Sequence, residues 1–196
     1  MASSSLKNNS EDIEILVSRI KQGDHNSFAK LYENFIDSIF RYVYFRVNKE
    51  DVEDIVESVF LKVWENIKKY KKTKKSTFSS WIFRIAHNLV VDYYRSNKIK
   101  NTDQLDINAP DYKREHNPIR TTEDVITSDI LRESILKLNK SYQDVLIYKF
   151  VNNFDNDEIS RMLKKSEGSL RILQFRALKA LRFELENSGF DLSDFM

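Results

Sequence analysis

The sequence predicts an all-α protein of two small helical domains joined by a flexible linker, the C-terminal one a helix-turn-helix. Three observations carry that expectation. The 196 residues include only three glycines and two prolines, too few for a turn-rich β architecture. Apolar residues recur at spacings of three and four through two long stretches. Between those stretches, from Ile99 to about Asp124, the period vanishes and both prolines, Pro110 and Pro118, occur.

Taken in order, residues 1–9 read as a disordered N-terminus. Ile13, Leu16, Val17 and Ile20 then define a first amphipathic helix from about Ser10 to Gln22, ended by Gly23. After the turn GDHN, one stripe runs from Phe28 through Leu31, Tyr32, Phe35, Ile39, Tyr42 and Val43 toward Val47. A second runs through Val52, Ile55, Val56, Val59, Phe60, Val63 and Ile67. The lysine-rich stretch KKYKKTKKST separates these from a fourth helix, near Thr77 to Asn97, with Phe78, Ile82, Ile85, Ala86, Leu89 and Tyr93 facing inward. Residues 10–98 therefore form the first domain and 99–126 the linker, which is acidic on balance. The second domain, 127–187, opens with two short helices marked by Ile130, Leu131, Ile135 and Leu138, then by Tyr142, Val145, Leu146 and Phe150. Asp155 with Glu158 is a capping-box pair for a helix that turns Ile159, Met162 and Leu163 inward. Ser166 caps a last helix, about Glu167 to Glu186, with Leu170, Leu173, Leu178 and Leu181 as core. Residues 188–196 are a tail.

Composition excludes several classes. No apolar run approaches the roughly 18 residues of a membrane span, and the start MASSSLKNNSEDIEIL lacks the apolar block of a signal peptide. With no cysteine as well, the expectation is a cytoplasmic protein without membrane insertion. His25, His87 and His116 lie in different segments without metal-ligand spacing, and no glycine-rich phosphate loop is present. No catalytic residue, metal or cofactor is expected. The acidic group around Asp51, Glu53 and Asp54 reads as a solvated or docking face rather than an acid-base pair.

The net charge of +2 conceals two basic segments. From Lys62 to Lys100, eleven Lys or Arg face only Glu65 and Asp92; from Arg161 to Arg182, seven face only Glu167. Opposite the core of the fourth helix, Arg84, His87, Asn88, Val91, Tyr94, Arg95 and Lys98 share one stripe, beside the loop lysines Lys71, Lys72, Lys74 and Lys75. Cations can follow a phosphate backbone while rings and amides stack on and hydrogen-bond unstacked bases, the chemistry of single-strand binding. A solvated basic face over core aromatics is the competing reading. In the second domain a capped helix, a short turn and a basic helix make a helix-turn-helix. Its groove side would present Arg171, Ile172, Phe175, Arg176 and Lys179 to duplex DNA, with a plain helical hairpin as the alternative.

Three segments of the first domain, FAKLYENFIDSIFRYVYFRV, DVEDIVESVFLKVWENIKKY and FSSWIFRIAHNLVVDYYR, resemble region two of extracytoplasmic-function (ECF) sigma factors of the sigma-70 type. SEGSLRILQFRALKALR, preceded by NNFDNDEIS, resembles their region four, so the likeness spans about residues 11 to 186 in the family's order and spacing. It implies a non-catalytic specificity subunit of RNA polymerase that directs promoter recognition, −10 melting and transcription initiation. Its partners would be core polymerase, at the β′ clamp helices and β flap, promoter DNA, and an anti-sigma factor. By position, Asp51, Glu53, Asp54, Glu57, Phe60 and Trp64 would dock on polymerase. The basic stripe of the fourth helix and its lysine loop would open the −10 element, with a flipped base near Asn88. Lys165, Ser166, Ser169, Arg171, Ile172, Phe175, Arg176 and Lys179 would meet the −35 element. The chain departs from the family in six places: Glu57 replaces a usual glutamine, Tyr70 a common phenylalanine, Asn153 and Lys164 usual glycines, Leu173 a frequent arginine, and Ile172 a common small polar residue.

Overall fold

The computed structural model describes residues 3–73, 76–100 and 122–189, and the side chains of 12–73, 76–96 and 128–189. Eight α-helices are present among them: α1 Ser3–Lys21, α2 His25–Tyr44, α3 Val52–Asn66, α4 Phe78–Lys100, α5 Thr122–Lys137, α6 Lys140–Leu146, α7 Asn156–Leu163 and α8 Glu167–Asn187. There is no strand among the described residues, only an isolated bridge between Thr73 and Ser76. The chain separates into two units, one built on α1 to α4 and the other on α5 to α8.

In the first unit the turn between α1 and α2 uses the expected punctuation. Gly23 takes a left-handed φ of 98°, and its N–H donates to Ile20 O at 3.0 Å. Asp24 then caps α2: its carboxylate accepts from the Asn26 and Ser27 N–H groups and from the buried Ser27 hydroxyl at 2.7 Å. Those bonds, the Ser27 hydroxyl's first, hold the Asp24 carboxyl below the usual range. The core lies where α2, α3 and α4 turn their stripes together, with Leu31, Ile39, Tyr42, Val43, Val59, Val63, Phe78, Ile82, Phe83 and Ala86 closed to solvent.

Three expectations are corrected here. α1 begins at Ser3, because no glycine or proline interrupts the chain before Ile13, so the stretch expected to be disordered is helical from Ser3 onward. α4 runs on to Lys100 and α5 begins at Thr122, which trims the predicted linker at both ends; its residues 101–121, like tail residues 190–196, lie outside the described part. The inward face of α4 also includes Phe83 and Val90, while Ile85, Leu89 and Tyr93 are only half-buried. The buried arc is turned by roughly 50° from the predicted one, half of a residue's step around the helix.

In the second unit, Asn139 caps α6 by accepting from Tyr142 N–H at 3.0 Å. The buried Gln143 amide donates to the Leu136 and Leu138 carbonyls, satisfying the end of α5. After Leu146 the helix widens into a π turn, Ile147–Val151. That widening shifts the register, so Ile147 and Tyr148 are buried and Phe150, expected inside, is 52% exposed. The capping box of Asp155 and Glu158 opens α7, with Asp155 N–H donating to the Glu158 carboxylate at 3.3 Å. Asn153 and Lys164 have φ values of 54° and 52°, so both positions where the family favours glycine keep the left-handed turn. Ser166 caps α8, whose buried face is Leu170, Ala177 and Leu185. Leu178, expected inside, is 43% exposed, and Leu173 and Leu181 are half-buried.

Candidate nucleic-acid and docking surfaces

α4 starts where Thr77 accepts from Ser80 N–H and the Trp81 N–H bonds back to Thr77 O, which sets the register of everything that follows. With the buried arc of α4 rotated, Arg84, Asn88 and Arg95 stand exposed, whereas His87, Val91 and Tyr94 are half-buried at the flank. The Nδ1 of His87 lies 3.2 Å from the hydroxyl of the buried Tyr42, and Tyr94 packs edge-on against Tyr93 at 5.5 Å. Of the stripe read from sequence, His87 and Tyr94 thus serve the core as well as the surface. Lys71 and Lys72 are exposed; Lys74, Lys75 and the Lys98 side chain lie outside the described residues.

Beside Asn88 is an open groove of about 320 Å³ lined by Lys62, Asn66, Lys69, Trp81, Ile85 and Asn88. It holds an indole, two carboxamides and two ammonium groups, with Lys69 donating to the Asn66 carboxamide at 3.3 Å. A planar base can stack on the indole and hydrogen-bond an amide while the lysines neutralise a phosphate. Sequence reasoning found Asn88, with Lys69 among the six lysines from Lys68 to Lys75 placed beside it, but missed Trp81, Lys62 and Asn66 as its companions. The signal was available in Trp81, which lies seven residues before Asn88 and so two helical turns away on the same face.

In the second unit, α8 presents Arg171, Ile172, Phe175, Arg176 and Lys179, all exposed, with Phe175 at 70%. Arg171 is 3.8 Å from Glu167, an exposed pair that holds neither side chain strongly. Lys165 is exposed, whereas Ser166 is engaged as the cap, its hydroxyl bonded to Ser169 Oγ at 2.9 Å. α7 and the turn through Lys164 set the approach of α8, and Gln174 is bonded to Asn156 across that turn.

The acidic face of α3 shows Glu53, Asp54 and Glu57 exposed, with Trp64 41% exposed at the end of the same helix. Asp51 is half-buried and accepts from the Tyr93 hydroxyl at 2.8 Å. Phe60, expected on this surface, is buried against the Tyr32 ring at 4.5 Å; it lies on the core side of α3 with Val56, Val59 and Val63. Leu61, 59% exposed and unassigned from sequence, continues the face between Glu57 and Trp64. Trp64 leans on His25 at 5.2 Å and Phe28 at 4.9 Å, which anchors its ring while one side stays open. No helix among the described residues is long and apolar enough to cross a membrane.

The sigma-70 region 2 family model matches residues 31–99, and the sigma-70 region 4 model matches 128–181. The chain is 28% identical over 171 residues to the ECF RNA polymerase sigma factor BldN of Streptomyces coelicolor, covering 85% of this chain and 63% of BldN, so it spans under two thirds of that relative. It is 26% identical over 180 residues to the ECF RNA polymerase sigma factor SigW of Bacillus subtilis, covering 87% of this chain and 95% of SigW. Among solved structures, CnrH in complex with the cytosolic domain of CnrY superposes with a TM-score of 0.64 at 18% identity, covering 88% of this chain and 96% of that one. RpoE from Bartonella quintana, in complex with the anti-sigma factor NepR, gives 0.61 at 14% identity, covering 81% and 96%.

Proposed function

The chain belongs to the sigma-70 family, carrying regions 2 and 4, as a sigma factor of the ECF type, and from that premise we propose that it binds core RNA polymerase, recognises promoters and melts their −10 elements. Residues 10–98 act as the polymerase-binding and −10 domain, 127–187 as the −35 domain, and 99–126 as their connection. The protein does no chemistry itself and works in the cytoplasm.

The observation that carries this reading is the groove beside Asn88. Its indole, amides and ammonium groups suit an extruded base with its phosphate and have no evident use in a helical adaptor. Arg84 and Arg95 and the loop lysines 71, 72, 74 and 75 extend the electrostatic path along the strand. α8 reads the −35 duplex through Arg171 and Arg176, with Ile172 and Phe175 giving apolar contacts to thymine methyls or sugars. Glu53, Asp54, Glu57, Leu61 and Trp64 dock on the β′ clamp helices, and the second domain meets the β flap. An anti-sigma factor that masks these polymerase surfaces is a further partner.

Two rival classes make different predictions. A DNA-binding regulator would use the helix-turn-helix without polymerase, and an adaptor would need neither basic surface. The test is to mix the full chain with purified bacterial core polymerase, isolate the complex, and sequence the 5′ ends of transcripts made from a genomic DNA library. The expected result is a stable complex and a discrete set of start sites sharing two upstream elements. Failure to bind core polymerase, or start sites identical to those of core enzyme alone, rejects the reading.

A further inference from the structure

We propose that Tyr70 is a positioning residue for the base-binding groove, clamped by α1 so that its ring fixes the plane of Trp81. The inference rests on the groove reading above and extends it to an element, α1, that lies before the matched region 31–99.

Tyr70 follows the 3-10 turn Ile67–Lys69 and is 3% exposed. α1 holds it at three points. Its hydroxyl donates to the Glu14 carboxylate at 2.8 Å, its carbonyl accepts from the Lys21 ammonium, and the same ammonium lies 5.4 Å from the centre of its ring. Burial, with the Glu14 carboxylate beside it, pushes the hydroxyl above the ordinary tyrosine range, so it remains a donor at any physiological pH.

The held ring then controls its neighbours. Tyr70 meets Phe78 edge-on at 5.3 Å and Trp81 at 5.3 Å with a tilt of 46°, and Phe78 meets Trp81 at 5.3 Å with a tilt of 47°. Trp81 therefore leans on two rings. Phe78 is locked in the core, and Tyr70, itself buried against Phe78, is tied to α1 through Glu14 and Lys21. A stacking platform whose plane is already set loses little freedom when a base arrives, whereas a mobile indole loses more and binds more weakly.

The chain has two tryptophans, so Trp64→Phe leaves Trp81 as the only indole emitter. In that background the full chain is titrated with a twelve-nucleotide single-stranded DNA of randomised sequence, reading Trp81 quenching. Circular dichroism and thermal midpoint are recorded for every variant. Tyr70→Phe and Glu14→Ala should each shift the free protein's emission to longer wavelength and weaken DNA binding about threefold or more, less than the full worth of a hydrogen bond to a charged group because this bond reaches the DNA only through Trp81. Glu14→Gln, whose amide oxygen still accepts from the hydroxyl, should keep both parental values. The proposal is overturned if Tyr70→Phe and Glu14→Ala leave emission and affinity unchanged, or if Glu14→Gln behaves as Glu14→Ala. A parent whose Trp81 is not quenched by DNA rejects the groove reading itself, a separate result.

Discussion

The side-chain amide of Gln174 donates to Oδ1 of Asn156 at 2.9 Å, tying the second turn of α8 to the first residue of α7. Both side chains are half-buried, so the bond is sheltered without the full cost of desolvation. It fixes how far α8 can swing about the turn between the helices. Gln174→Ala and Asn156→Ala should each lower the stability of this unit by about 1 kcal/mol, and the double variant should cost less than the sum. Both tryptophans lie in the other unit, so the measurement is amide hydrogen exchange of α7 and α8. Additive effects would show that the two side chains are not coupled.

Lys164 closes α7 in the left-handed region, and its N–H and that of Lys165 both donate to Ser160 O. The hydrogen bonds of the turn are made, but a side chain with a Cβ is strained there. Lys164→Gly should raise protection in α7 and α8 by roughly 1 kcal/mol, whereas Asn153→Gly should gain less because asparagine tolerates this conformation. The same exchange experiment decides it; a loss of protection in Lys164→Gly contradicts the argument.

Glu158 titrates above its ordinary value of 4.5, chiefly because its carboxyl is buried in the capping box. A carboxyl with a raised folded-state pKa favours its neutral form in the fold, so the folded state binds more protons than the unfolded chain between the two pKa values. Its contribution is best below pH 4.5 and declines as pH rises through the raised folded-state value. Glu158→Gln keeps a side chain that fits the capping box and removes the titration. The variant should therefore gain on the parent as pH rises from 4 to 7, read as the difference in urea midpoint from far-UV circular dichroism. A constant difference across that range would exclude the titration.

Several helix ends were legible in the sequence because they are written in local chemistry, as at Gly23, Asp155 and Ser166; the caps at Asp24 and Asn139 use the same chemistry but emerge only in the structure. Facing was less legible. Phe60 lies on the apolar stripe of α3 and is buried against Tyr32 as that period predicts; the family resemblance, not the period, put it on the docking surface. Phe150 was placed by a constant helical period that the π turn after Leu146 breaks. The groove required α3 and α4 to be brought together, since Lys62 and Asn66 are over twenty residues from Asn88. Sequence periodicity describes one helix at a time.

The docking face proposed for α3 makes a prediction about charge and shape together. Asp54 supplies exposed charge and Leu61 exposed apolar area on one side of the helix, and interface centres draw more from buried apolar anchors than from rim charges. Leu61→Glu should therefore weaken core polymerase binding at all ionic strengths, by about tenfold or more. Asp54→Arg should weaken it most at low salt. Surface-immobilised core polymerase titrated at two salt concentrations separates the two, with circular dichroism to confirm folding. Parental binding by both variants would remove this face from the interface.

The two helices proposed to face DNA should divide specificity unequally. Asn88 is an exposed side chain on the groove that can both donate to and accept from a base edge, and Trp81 beside it gives a stacking surface that does not distinguish bases. Removing the amide should broaden the −10 preference by about 1 to 2 kcal/mol per discriminated base while leaving most of the affinity in place. Arg176 stands exposed on α8 among apolar Ile172 and Phe175, positioned for a guanine or a phosphate. Arg176→Ala should lower −35 affinity and reduce the salt slope by roughly one if its contact is a phosphate, and should relax a single −35 position if it is a guanine. Open-complex formation on promoters randomised through each element in turn measures both. If Asn88→Ala leaves the −10 profile intact while Arg176→Ala changes it, the roles assigned to α4 and α8 are reversed.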